Sequence, residues 1–216
     1  MLVTEVNEAL PGGSSLLRNE PVQARSSARL TGLLDAAATI IDEIGFERLT
    51  TAMVAERAGA SIGTVYRYFP DRIAVVEALS VRSSQRLIDR VASAVDSVTV
   101  VEWRDAVDVV LDCAVEMYRS EPGFRSIRFG DGGSTERVSG DDAGRPLPRQ
   151  FVEFLGSRFG VQSTPELAFA VEVATEIGSA LVARAFLTDP RGEARFVDEC
   201  RSLVKTFLGP VVVVTA

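Results

Sequence analysis

Residues 45–72 read GFERLTTAMVAERAGASIGTVYRYFPDR, and this stretch decides the fold. Thr50 and Thr51 each offer a hydroxyl to cap a short helix. Neither has Glu or Gln three residues on, so a simple cap is expected rather than a reciprocal capping box. Met53, Val54 and Ala58 face inward at helical spacing. Gly59 ends that helix, and Ser61 starts the next. Ile62, Val65, Tyr66 and Phe69 form the stripe that docks the second helix, and Pro70 stops it or opens the following one. Two short helices across the small-residue turn Gly59-Ala60-Ser61 make a helix-turn-helix.

Working upstream, Leu30, Leu33, Leu34, Ala37, Ile40, Ile41 and Ile44 carry helical periodicity through 25–44, and Gly45 follows as a left-handed cap. Residues 1–24 hold Pro11-Gly12-Gly13-Ser14-Ser15 and Pro21, and read as a disordered arm. Its start has no basic segment ahead of an apolar one, so it does not read as a signal peptide. Only Arg18 and Arg25 would bring charge from that arm to a polyanion, and an inert tail is the expectation.

A helix of this kind enters a major groove about 12 Å wide while its predecessor braces it across the backbone. With Ile62, Val65 and Phe69 turned inward, Ser61, Gly63, Thr64, Arg67 and Tyr68 remain outside. Arg67 is the one long donor in that set; it can fork to guanine or pair with phosphate. Thr64, Tyr66, Tyr68 and Arg72 offer hydroxyls and a cation to the backbone. Thr51 stands beside the free N–H groups of a helix start, a natural phosphate seat. Net charge is −7, which by itself argues against a polyanionic partner. Residues 18–72, however, balance seven Arg against seven acidic residues, so the acidic excess lies elsewhere.

The motif TTAMVAERAGASIGTVYRYFPDR, residues 50–72, resembles the DNA-binding domain of the TetR family of transcriptional regulators. Thr51, Ala58, Gly59, Gly63, Thr64, Val65, Tyr66, Tyr68 and Phe69 carry the likeness, while Arg72 stands where Lys is commoner and Ala60 where Val is usual. Ala52 occupies a position where some members carry a base-reading side chain. The resemblance implies phosphate contacts by Thr51, Thr64, Tyr66, Tyr68 and Arg72, and base contacts around Ser61, Ile62, Gly63 and Arg67.

Beyond residue 72 the pattern stays helical, over about 71–96, 102–120, 147–160, 165–187 and 190–208. Residues 130–148, with five Gly and two Pro, read as a long loop and a candidate portal. Val211–Val214 alone has strand character and is too short to make a sheet. The fold is therefore all-α: an arm (1–24), a three-helix helix-turn-helix domain (25–72), and a helical ligand-binding and dimerisation domain (73–210). Leu167, Val171, Ala174, Ile177, Gly178 and Leu181 on one helix, with Phe196, Cys200, Leu203 and Phe207 on the last, have the pattern of a four-helix dimer interface. The resemblance implies the same homodimer, which sets two reading heads about 34–36 Å apart on a palindromic operator. Candidate lining residues of a cavity are Trp103, Val107, Leu111, Met117, Tyr118, Phe124, Phe129, Phe151, Phe154 and Leu155. Arg125 and Arg128 either meet an anionic ligand there or face solvent. By resemblance, the expected function is repression of an operator in double-stranded DNA, relieved by a small-molecule effector of apolar or amphipathic kind. The alternative is an activator or a ligand-independent regulator of the same fold.

Composition closes other routes. The chain has no histidine, the commonest general base and metal ligand, and shows no nucleotide-binding loop. Neither enzyme activity, nor a cofactor, nor a metal site is expected. Asp108, Asp112 and Glu116 recur every four residues and read as one exposed acidic face. Cys113 and Cys200, far apart in apolar segments, read as buried thiols in a reducing cytoplasm. The longest apolar run is far below a membrane span.

Overall fold

In a computed structural model, residues 20–97, 100–126 and 146–214 are described. The first helix, α1 (Glu20–Ile44), begins earlier than its apolar periodicity, so residues 20–24 of the expected arm are helical instead. It ends where Gly45 takes φ +82°, a backbone that side-chain-bearing residues avoid, while its N–H still reaches Ile41 O at 2.9 Å. A single 3₁₀ turn (Phe46–Arg48) leads to α2 (Thr51–Arg57). Thr50, not Thr51, caps α2: its Oγ1 accepts from the Met53 N–H at 3.2 Å. Gly59 at φ +60° makes the left-handed turn, and Ser61 Oγ caps α3 (Ile62–Tyr68) by accepting from the Thr64 N–H at 3.1 Å. Asp71 Oδ1 accepts from the Ala74 N–H at 2.9 Å and starts α4 (Arg72–Ser97).

Five further elements complete the body. They are α5 (Trp103–Ser120), a 3₁₀ turn (Phe124–Ser126), α6 (Pro146–Phe159), α7 (Pro165–Ala185) and α8 (Ala194–Leu208). Asp105 fixes the start of α5 by accepting from the Val101 and Glu102 N–H groups, both at 2.9 Å. Thr164 does the same for α7 by accepting from the Leu167 N–H, with Pro165 in the first turn. The last helix opens at Ala194 rather than near Pro190, because Pro190–Glu193 form a turn in which the Gly192 N–H reaches Asp189 O. Val214 makes one antiparallel bridge with Val161, and no sheet forms among the described residues.

Two hydrophobic clusters hold the chain together. In the head, Leu33, Ile40 and Ile41 of α1 close over Leu49, Val54, Val65 and Phe69, with Val75 and Leu79 of α4 completing the cluster. Full burial of each large aliphatic side chain contributes about 1.5–3 kcal/mol. The body cluster runs from Leu87 of α4 through α5, α6, α7 and α8. Helix α4 thus belongs to both cores, Val75 and Leu79 in one and Leu87 in the other. Where the two meet, Glu121 after α5 accepts from Arg86 and Arg90 of α4, each at 2.7 Å, and Arg82 donates to Asp35 of α1 at 2.7 Å.

Candidate functional site

Helix α3 docks chiefly through Val65 and the Phe69 that caps it, with Tyr68 packed partly buried against the same core. Val65 and Phe69 are buried, whereas Ile62 is 44% and Tyr66 54% exposed. The four-residue stripe expected from the sequence is therefore half as wide. So short a helix buries only the i, i+4 pair 65 and 69, and 62 and 66 fall to the side of it. Ser61, Gly63 and Arg67 are also exposed, and Thr64 is half-buried. Nothing but Ser61 Oγ, at 3.9 Å, lies near the place where a Cβ on Gly63 would stand, so another molecule's backbone can approach there.

The hydroxyls on this face are committed to one another. Ser61 Oγ lies 2.9 Å from Thr64 Oγ1 and also caps the helix. Thr51 is buried, and its Oγ1 donates to Tyr66 Oη at 3.4 Å, so it braces Tyr66 from beneath rather than standing open as a phosphate seat. Tyr68 is half-buried; its hydroxyl meets Ser26 Oγ of α1 at 2.9 Å and accepts from Arg67 Nη2 at 3.3 Å. The Arg67 guanidinium lies over the Tyr68 ring, 5.2 Å from its centre. The Ser26 hydrogen bond, and then the charges of Arg67 and Arg29, hold the Tyr68 phenol below its ordinary range against the opposing effect of burial. Arg72 donates to the Glu47 carbonyl at 2.6 Å, so this cation is seated beside the 3₁₀ turn.

The body holds a cavity of about 80 Å³. Leu87 comes to it from α4, Val107, Val110, Leu111 and Ala114 from α5, and Leu147 and Phe151 from α6. Helix α7 supplies Val171, Ala174, Thr175, Gly178, Ser179 and Val182, and α8 supplies Val204 and Leu208. The walls are almost wholly apolar; the hydroxyls of Thr175 and Ser179 are their only polar side-chain groups. Thr175 Oγ1 already donates to Val171 O at 2.8 Å.

Of the expected lining, Val107, Leu111 and Phe151 reach the cavity. Trp103, Met117, Tyr118, Phe124, Phe154 and Leu155 do not. The apolar stripe of α5 runs past the end of the cavity, where the Tyr118 ring packs 5.1 Å from both Phe124 and Phe186 and fills the space. Trp103 is buried under the Arg104 guanidinium, Phe154 packs on Phe151 and Phe159, and Met117 and Leu155 are core. Phe129 and Arg128 lie outside the described residues, as does most of the expected 130–148 loop, of which 146–148 are helical. Arg125 is tied to the Tyr118 and Pro190 carbonyls at 2.7 and 3.0 Å and is not turned to the cavity.

The expected interface helices also divide differently. Val171, Ala174 and Gly178 line the cavity, and Leu167 and Cys200 have no accessible surface, so a second copy cannot touch these two side chains. Ile177, Leu181 and Phe196 are half-buried, while Leu203 and Phe207 are exposed. Phe169, which is not in the expected set, is 66% exposed on α7. Apolar residues occur on more than one face of α7, so periodicity alone could not say which face meets which neighbour. The acidic positions of α5 are not a bare solvated face either. Lys205 and Arg201 of α8 donate to Asp108 at 2.6 and 3.2 Å, and Arg201 also pairs with Asp112.

Burial raises both thiols, Cys200 to about 11, with Asp112 adding to the effect at Cys113. No helix among the described residues is long and apolar enough to cross a membrane.

Comparison with known proteins accounts for both halves. The family model for bacterial regulatory proteins of the tetR family matches residues 33–79, and the tetracyclin repressor-like C-terminal domain model matches 101–211. The structure of a TetR-family transcriptional regulator from Streptomyces coelicolor is 34% identical, with a TM-score of 0.74, over 85% of this chain and 99% of that one. A single-residue variant of TetR from Acinetobacter baumannii, in complex with minocycline, shares the fold at 20% identity and TM-score 0.57, over 85% of this chain and 98% of that one. The nucleoid occlusion factor SlmA of Haemophilus influenzae is 32% identical over 90 residues, which span 41% of this chain and only 39% of that protein. Regulators of this kind are DNA-binding proteins, not enzymes. With a family model covering residues 101–211 and a 34% identical relative matched over 99% of its length, the chain belongs to the TetR family of transcriptional regulators.

Proposed function

We propose that the chain is a repressor that grips a palindromic operator as a homodimer and lets go when a small uncharged, mainly apolar molecule enters the body cavity. One observation carries the reading: α4 lends Leu87 to the cavity wall and Val75 and Leu79 to the core that holds α3. A molecule wedged against Leu87 tilts the same rigid helix that positions the reading head. The cavity favours an apolar guest because a charge would be desolvated there with no opposite charge in the wall. Phe169, Leu203 and Phe207, exposed on α7 and α8, suit the dimer seam. DNA contact falls to Ile62, Gly63, Thr64, Tyr66, Arg67 and Tyr68, and Ser61 and Thr51 serve as braces behind them.

Release requires that the effector bind the two states of the protein with different affinity. The test has two steps. Selection from random duplexes yields the operator, and fluorescence anisotropy then follows its affinity as apolar compounds are added. The expected result is a palindromic site that weakens at least tenfold with an effector present. A compound that saturates the cavity and leaves operator affinity unchanged would sink the allosteric part.

A further inference from the structure

We propose that the DNA-binding surface extends from the helix-turn-helix onto α1, where Arg29 contacts a backbone phosphate and Ser26 positions the Tyr68 hydroxyl for the same phosphate. The inference rests on the operator-binding reading above. It starts from the position of Tyr68 at the last turn of α3, turned toward α1. The hydroxyl there lies 2.9 Å from Ser26 Oγ and 3.3 Å from Arg67 Nη2. Arg67 donates to it, and when Ser26 donates as well the phenol keeps its one proton for an incoming oxygen. Arg29 stands one helical turn along α1 from Ser26 and is exposed, so the two share the face of α1 that meets Tyr68.

Charge pairing in the head leaves the same place without a carboxylate among the described residues, as it does Arg48 and Arg72. Arg57 is paired with Glu43 at 2.7 Å and Arg82 with Asp35 at 2.7 Å. Arg29 and Arg67 make no ion pair with a carboxylate among the described residues. Two guanidinium groups without a carboxylate partner, one on the Tyr68 ring and one a helical turn from Ser26, therefore accompany one phenol and one serine hydroxyl in an otherwise acidic chain. That is the donor set a phosphodiester takes: cations for its charge and short hydroxyls for direction. The Arg67 guanidinium lies on the Tyr68 ring and so stands at this seat. Ser26 belongs to the stretch that the sequence pattern leaves at the edge of an inert arm; the helix carries it to α3.

The experiment uses the full chain and measures dissociation constants against salt for the selected operator and for an unrelated duplex. Each phosphate contact contributes about 0.9 to the slope of log K against log salt. Arg29→Ala is expected to lower the slope by about one per subunit on both duplexes, and Arg29→Lys to restore it. Ser26→Ala is expected to weaken both duplexes about threefold to tenfold without changing the slope, as loss of a neutral hydrogen bond would. Circular dichroism melts confirm that each variant folds. A slope unchanged in Arg29→Ala overturns the proposal whatever Ser26→Ala does, and leaves the operator reading standing. Failure of the wild-type chain to hold any duplex at low salt overturns both.

Discussion

Gly123 sits so close to Ala38 that a Cβ on it would stand 2.6 Å from the Ala38 carbonyl oxygen. Its φ is +72°, and its N–H donates to Asp42 Oδ1 at 3.2 Å. Gly123 follows α5, and Ala38 and Asp42 belong to α1, so the corner of the body rests backbone to backbone on the reading head.

Replacing Gly123 with Ala is therefore expected to destabilise the chain by about 1–3 kcal/mol, since both the left-handed backbone and the contact are lost to any larger residue. Urea unfolding measures the change. A loss within experimental error would mean that the corner can lift from α1 without penalty.

Glu121, two residues earlier, is held by Arg86 and Arg90 and is mostly covered, while the two guanidinium groups are more open to water. Glu121→Gln should cost about 1–2 kcal/mol, toward the upper end for partly exposed pairs because two cations share one carboxylate. Added salt should shrink the difference from wild type, because the arginines are within reach of screening ions. A deficit independent of salt would assign it to packing.

Gly178 lies inside α7 and faces the cavity, with open room before Leu111 Cδ2 at 3.8 Å from an added Cβ. Gly178→Ala should raise stability by about 0.5–1 kcal/mol through helix propensity and added contact. Gly178→Leu should instead lower it by about 1–3 kcal/mol through overpacking. Thermal or urea unfolding of the pair reads both signs, and two losses would show that the cavity wall has no slack.

The Cys200 thiol is raised from near 9 to about 11 by burial. Between those values the unfolded chain loses this proton while the folded chain keeps it. The contribution is whole below pH 9 and disappears as pH climbs through 11, by about 1–3 kcal/mol in all. Unfolding free energies of wild type and Cys200→Ala across pH 8–11 isolate this effect from other titrating groups. The wild type should lose its advantage as pH rises, and parallel curves would contradict it.

The local rules of the chain were written in its residues. Thr50, Ser61 and Asp71 cap α2, α3 and α4 through short side chains that accept from a backbone N–H three residues on, and Gly45 and Gly59 adopt positive φ where the pattern requires a stop. Each of these depends on neighbours within a few positions, so no knowledge of the rest of the fold is needed to read it. The helix-turn-helix and the all-helical body were legible for that reason.

The partner of each helix face was not. Periodicity says that Val171, Ala174 and Gly178 share a stripe, but the tertiary structure turns that stripe to a cavity and leaves Phe169 outside. It likewise turns Ile62 and Tyr66 outward while Val65 and Phe69 dock, and gives the α5 carboxylates to Arg201 and Lys205. Such choices depend on crossing angles and on residues up to 97 positions away in the chain, as Lys205 is from Asp108. A stripe of apolar side chains gains almost the same free energy against any apolar neighbour, so only the packing of the whole chain decides which one it meets.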